Sequence, residues 1–178
     1  SLAPAKNSGQ IQYFVSPANN AQFCPPASAD VVTIILAIQN IEDLTGTIAE
    51  ASRTLKRGGR LLIVMNHPAF RIPKRTSWQW DDKQSRQYRR IDSYMSDTKE
   101  AIEMNPGAKN IYDKKITFSF HRPLQTYFKT FQKSGLAVTR LEEWISHRES
   151  KQGPRGDEEN RIRKEIPMFL CLEATKLV

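Results

Sequence analysis

The strongest constraint on this chain lies between Val31 and Met65. "VVTIILAI" (31–38) is an unbroken, largely β-branched apolar run, and "RLLIVM" (60–65) is a second. Runs without polar alternation are how strands of a parallel sheet read when both faces are covered. Between them Leu44, Ile48, Ala51 and Leu55 recur at three- and four-residue steps across 42–56, one face of an amphipathic helix. Gly58-Gly59 follow where a C-cap glycine would stop that helix. Parallel neighbours need a crossover of about a dozen residues or more, usually helical. Strand, helix, Gly-Gly turn and strand therefore predict a βαβ unit with 31–38 and 61–65 adjacent and parallel.

The flanking segments extend this pattern. The first ten residues read as a flexible arm, and "IQYFV" (11–15) as a short further parallel strand. Pro25-Pro26 keep the connection to 31 out of helix. Residues 69–115 change composition, carrying Trp78, Trp80, Tyr88, Tyr94 and many Lys and Arg residues without a long apolar run. They read as a cap insertion, partly helical around 82–104 and ended by Pro106-Gly107. "TFSFHRPL" leads into an amphipathic helix closed by Gly135. Two further strands, 136–146 and 167–176, are separated by the charged stretch 146–165, read as a polar loop, and predict an antiparallel pair at the sheet edge. The expected fold is thus α/β, Rossmann-like and doubly wound, with a mainly parallel sheet.

At 178 residues and 39% hydrophobic content the chain suits one domain with a real core. A net charge of +8 favours acidic partners such as nucleic acid, phosphorylated metabolites or membrane surfaces, without choosing among them. Cys24 and Cys171 have no metal or redox spacing and read as small buried residues; no metal site is legible. No apolar leader and no run near membrane-spanning length is present in these residues, so a cytoplasmic setting is expected.

The segments "ASRTLKRGGRLLIV" and "ADVVTIILAIQNIED", followed by "NHPAF", a cap, a helix ending in glycine and a final strand pair, resemble the class I S-adenosylmethionine-dependent methyltransferases. Arg57 stands where that family commonly has proline before its Gly-Gly. The resemblance covers about 11–66 and, more loosely, 117–176. It implies methyl transfer from S-adenosylmethionine to a small-molecule acceptor. The family's glycine-rich loop and the acidic residue that holds the ribose have no counterpart in these residues, so the first strands of the family fold are absent and the sequence reads as a partial, truncated domain over 11–178. Weak or absent binding of S-adenosylmethionine is expected for this chain alone. The open strand edge is expected to pair with its own N-terminal segment or with a second copy.

In doubly wound sheets ligands sit outside the carboxyl ends of the strands. The resemblance places Asn20, Ala21 and Gln22 beside adenine, with Asn20 in place of a common aspartate, and Ile38 and Gln39 on the cofactor side. Asn40 falls toward the acceptor. His67 reads either as a general base or as a histidine tied to backbone at a strand end. Arg71, Arg89 and Arg90 read as a clamp on an anionic group or as a solvated face. Trp78 and Trp80 read as an aromatic wall or as cap packing. Tyr94, His121 and Arg122 complete the acceptor-side candidates. Glu142 and Glu143, consecutive on a strand, point to opposite faces. Two other readings stay open: a non-catalytic interaction module derived from such an enzyme, supported by the missing loop, and a nucleic-acid-binding or -modifying protein, supported by charge alone.

Overall fold

In the computed structural model, which describes residues 11–105 and 115–177, the βαβ unit forms as expected. The arm 1–10 and the Pro106-Gly107 stop lie outside the described residues. β1 (Ala29–Ile35) and β2 (Leu55–Asn66) are parallel, paired from Val31 with Arg60 to Ile35 with Val64. They are joined by a 3₁₀ turn (Ile38–Asn40) and α1 (Leu44–Thr54). Asp43 caps α1, accepting the Gly46 N–H at 2.8 Å.

The glycine pair does not cap that helix. α1 ends at Thr54, with an extended Leu55 as its cap residue. Gly58 and Gly59 instead lie inside β2, where the pairing with β1 jumps from Ala29–Leu55 to Val31–Arg60. Gly58 takes φ +75°, and a Cβ on Gly59 would meet Lys56 O at 2.9 Å and Asp30 O at 3.1 Å. This is a bulge, which needs glycine for conformation and for close approach.

β7 (Leu136–Trp144) and β8 (Phe169–Lys176) pair antiparallel, as expected, and β8 also pairs antiparallel with β2. The sheet order is β1-β2-β8-β7. β1, β2 and β7 therefore run one way and β8 the other. Leu61, Ile63 and Met65 sit beside Ala174, Leu172 and Leu170 on one face. They pack with Ile48 and Ala51 of α1 and with Tyr127 and Phe131 of α2 (Leu124–Lys133) in one core cluster. Ser52 Oγ donates to Ser134 O at 2.7 Å, locking α1 to the end of α2, and Gly135 follows at φ +71°.

The opposite face departs from the expectation of strands covered on both sides. Val31 and Ile35 are 41% and 55% exposed, and β1 is the end strand of the sheet. Further along this face Glu173 pairs with Arg60 (3.6 Å) and Arg140 (3.8 Å), so exposed ion pairs, not helices, lie over β2, β8 and β7. Residues 11–15 form no strand. Ile11 makes only an isolated bridge, all five residues are exposed, and among the described residues no further strand pairs with the free edge of β1. A five-residue segment without a ladder partner cannot satisfy its backbone as a strand. Phe14 instead stacks on Phe23 at 4.3 Å.

The cap contains no helix among its described residues. It consists of the hairpin β3 (Thr76–Asp81)–β4 (Arg86–Ile91), and of β5 (Thr98–Glu103) paired with β6 (Ile116–His121). The Asp81 carboxylate accepts the Lys83 and Gln84 N–H groups, closing the first hairpin. The charged stretch after β7 is not all loop: α3 (Gly156–Glu165) carries Asp157, Glu158 and Glu159 in its first turn and Arg163 and Lys164 in its last. That order complements the helix dipole. None of the described helices is long and apolar enough to cross a membrane.

Candidate functional site

The carboxyl ends of β1 and β2 lie side by side, and the chain bends sharply at both. Leu36, just after β1, adopts φ +51°, a strained conformation for a leucine. Two hydrogen bonds hold it there: its N–H donates to Val64 O at 2.7 Å, and its carbonyl accepts from Gln39 Nε2 at 2.7 Å. Ile38 is fully buried in the core. It forms the floor beneath the strand ends and shows no side-chain surface to a ligand. Asn40 is exposed at the end of the 3₁₀ turn.

After β2, His67 is 6% exposed. Its Nδ1 accepts the Ala69 and Phe70 N–H groups at 3.1 and 3.4 Å. The proton therefore sits on Nε2, which donates to Glu143 Oε1 at 2.8 Å. With both nitrogens engaged, the imidazole holds the 67–71 turn in place and has no free lone pair for a substrate proton. Of the two readings of this histidine, the geometry matches the backbone-tethered one. Glu142 points away from Glu143 and accepts from Trp144 Nε1 at 2.9 Å.

The β6–α2 junction closes over these strand ends. Arg122 is 8% exposed, and its Nη2 donates to Ile41 O at 3.0 Å and Glu42 O at 2.5 Å. Among the described residues its Nη1 has no partner, and neither does the buried Gln39 Oε1. Both residues line a crevice of about 20 Å³ together with Asn66, Arg71, His121 and Tyr127. Burial pushes the Tyr127 hydroxyl above its ordinary range, and the neighbouring Arg122 acts against that rise. His121 Nε2 contacts Tyr94 O at 2.8 Å, while the Tyr94 hydroxyl accepts the Leu124 N–H at 3.0 Å. Tyr94 and His121 thus tie the cap to the start of α2, and their polar atoms are committed to that task.

Asn20, Ala21 and Gln22 lie in the turn before β1. The Ala21 N–H donates to Glu50 Oε1 at 2.7 Å, and Arg53 Nη2 donates to Ala21 O and Cys24 O at 3.3 and 2.8 Å. The Arg53 guanidinium holds the Glu50 carboxyl below its ordinary range. α1 therefore fixes the height of this turn relative to the strand ends.

In the cap, Trp78 and Trp80 share one face of β3, as i and i+2 must. Arg89 stacks over Trp78 at 4.9 Å and Arg155 over Trp80 at 4.5 Å. Of the two cap arginines expected in a clamp, Arg90 lies on the other side of β4, exposed and paired with Asp92. Arg89 is the residue turned inward, donating to Phe70 O at 2.8 Å and Thr76 Oγ1 at 2.7 Å. Strand parity carries that signal, and an expectation of helix over 82–104 hides it. Arg71 lies over the Phe169 ring at 5.0 Å. Its burial lowers its pKa, and burial plus the field of Arg71 lowers that of Arg89. Cys171 is buried with its thiol pKa pushed up, and Cys24 is half-buried; both are free thiols. Among the described residues no cluster of three or more His, Cys, Asp or Glu side chains is arranged to hold a metal.

Residues 2–63 match a family model described as a methyltransferase domain. Over 59 residues the chain is 41% identical to the ubiquinone/menaquinone biosynthesis C-methyltransferase UbiE of Rhizobium leguminosarum bv. trifolii (strain WSM2304), a stretch that makes up 33% of this chain and 22% of that protein. The chain thus spans about a fifth of the length of that curated relative. The structure is similar to an S-adenosylmethionine-dependent methyltransferase of Mesorhizobium loti, with TM-score 0.68 and 23% identity, covering 96% of this chain and 72% of that one. It is similar also to a Listeria monocytogenes protein described as an enzyme of the same kind, with TM-score 0.70 and 21% identity, covering 97% and 72%. At these identities the structural likeness speaks for the fold.

Proposed function

Starting from a fold and an N-terminal segment that are those of the class I S-adenosylmethionine-dependent methyltransferases, we propose that this chain serves methyl transfer to a small-molecule acceptor. The acceptor is received at the carboxyl ends of β1 and β2. The observation that carries the reading is the convergence there of Gln39, Asn66, Arg71, His121 and Arg122 from three separate stretches of the chain.

S-adenosylmethionine supplies a methyl group already activated on a sulfonium, so the protein's task is positioning more than proton transfer. The residues present fit part of that molecule. The 20–22 turn, its Ala21 backbone tethered by Glu50 and Arg53, offers the Asn20 side-chain amide to adenine. Gln39 Oε1 and Arg122 Nη1 offer one acceptor and one donor at the strand ends. The crevice there is far too small for an adenosyl group, and no glycine-rich loop occurs in these 178 residues. The strand-end crevice offers the ribose and methionine portions no matching set of partners, and the open β1 edge is the side at which a further segment or a second copy would supply them. His67 acts as a positioning residue: it fixes the 67–71 turn and so the place of Arg71. Arg122 secures the 38–42 turn.

The test is titration of the isotope-labelled chain with S-adenosylhomocysteine, followed by amide shifts. Millimolar binding with changes confined to 20–22 and 36–40 is expected. Micromolar binding would mean that another segment replaces the glycine loop, and binding whose shifts fall elsewhere and leave 20–22 and 36–40 unmoved would end the reading.

A further inference from the structure

Beside the strand ends lies a second cavity, of about 430 Å³, lined by Arg71, Trp78, Arg148, Arg163, Met168 and Phe169. Its three arginines come from the turn after β2, the segment after β7 and α3, so the fold alone gathers them. No carboxylate lines it. Glu159 reaches Arg163 at 3.7 Å, and Ser150 Oγ accepts from Arg163 at 2.5 Å. Among the described residues the guanidinium groups of Arg71 and Arg148 have no acidic partner. Arg71 lies instead over an aromatic ring and close enough to Arg89 for the two to repel. Arg71 and Arg148 are exposed and Arg163 half-buried, and all three border one concave space with apolar walls, where an entering anion relieves their mutual repulsion.

We propose that this cavity holds the phosphate of a phosphorylated organic methyl acceptor, with the organic part against Trp78, Met168 and Phe169. Three guanidinium groups offset by one carboxylate suit a dianion better than a single carboxylate, and their forked donors match phosphate oxygens. The volume is that of a small-molecule site. Arg71 borders both this cavity and the strand-end crevice, so a molecule anchored here extends toward the place of methyl transfer. Naming the occupant as the acceptor rests on the methyl-transfer reading; the phosphate site itself does not.

The experiment is titration of the whole chain with phenyl phosphate and, separately, benzoate at constant ionic strength, read by calorimetry and by arginine side-chain NMR. Phenyl phosphate is expected to bind at least about tenfold more tightly than benzoate. Arg71→Gln and Arg148→Gln are each expected to weaken it about tenfold, the loss of one charge-assisted hydrogen-bonding group. Arg140→Gln, on the exposed sheet face, should change nothing. Arg163→Gln also loosens α3, so Arg148→Gln decides. Equal weakening by Arg140→Gln, equal affinity for benzoate, or no binding at millimolar phenyl phosphate overturns the site. S-adenosylhomocysteine titrated into the same samples separates the two readings: phosphate binding together with S-adenosylhomocysteine shifts that fall away from 20–22 and 36–40 leaves the phosphate site standing and removes the methyl-transfer reading of the strand ends.

Discussion

Replacing Arg122 with methionine tests whether the strand-end turn is held from the β6–α2 junction. The guanidinium is 8% exposed, and one nitrogen donates to both Ile41 O and Glu42 O. A hydrogen bond from a charged donor contributes about 1.5–3 kcal/mol. Because both bonds share Nη2, the pair is counted as about 3 kcal/mol. Against this, removing a desolvated cation whose Nη1 is unpartnered returns about 1 kcal/mol. Methionine keeps the apolar stem, so little cavity forms. The net loss is about 2 kcal/mol. With a urea slope of about 2 kcal/mol per molar, the unfolding midpoint should fall by about 1 M at unchanged slope. Hydrogen exchange should accelerate at Asn40 and Ile41, whose N–H groups bond within the turn. Arg122→Lys, with charge but no fork, should fall between the two. A midpoint shift under about 0.4 M, with exchange at 40–41 unchanged, would refute the idea that Arg122 organises this turn.

The link between α3 and the first hairpin should depend on pH. Hydrogen bonding from Arg161, helped by the Gln87 N–H, holds the Glu158 carboxyl at about 2 against an ordinary 4.5. A depressed carboxyl stabilises fully above its unfolded value and loses that effect as pH falls, so the contact should weaken between about 4.5 and about 2. Trp80 fluorescence, sensitive to Arg155 over its ring, should report it, and Glu158→Gln should remove the pH step while leaving other acid effects. At the open end of the sheet, the exposed β1 edge should drive self-association visible by sedimentation, and Ile35→Lys, at a side chain 55% exposed, should suppress it with little change in stability. A wild-type chain sedimenting as a single 20.4 kDa species with β1 amides protected from exchange would refute this.

The parts of the fold legible in the sequence are those where local pattern and tertiary demand coincide. Leu44, Ile48 and Ala51 repeat at helical spacing because they meet the buried faces of β2 and β8. β7 and β8 alternate around a shared ladder. The cap was harder to read because its strands bury little: Arg86, Arg89 and Arg90 look helix-compatible one by one. The decisive signals were the Asp81-Asp82-Lys83-Gln84 turn and the spacing of Trp78 and Trp80. α3 was hidden by composition, since only Ile162 on it is buried and its helical signature is electrostatic. The Gly-Gly pair shows the reverse problem. A strong local signal for a helix cap was overridden by the bulge that lets β2 meet Asp30.

The site divides along the same line. That His67 ends a strand beside the carboxyl end of β1 is visible in sequence, because topology alone places it there. What it does depends on two backbone N–H groups and on Glu143, seventy-six residues away. No pattern of residue types encodes that distance. The choice between Arg89 and Arg90 turns on strand parity, so an error of one residue in register exchanges the inward cation for the outward one. Arg148 and Arg163 lie in a stretch whose composition reads as solvated loop, yet α3, docked on β4 through Glu158 and Gln87, brings Arg163 to Arg71 and Phe169, and Arg163 Nη1 donates to Arg148 O at 3.4 Å in the segment after β7. A helix that buries little of itself thus places one of the three cations of this candidate anion site and tethers the segment of a second. The same geometry makes that site depend on the Glu158 contact, so acid that releases α3 should weaken phenyl phosphate binding in parallel with the Trp80 signal. Binding that persists after the Trp80 change is complete would show that Arg148 and Arg163 do not need the Glu158–Gln87 contact to converge.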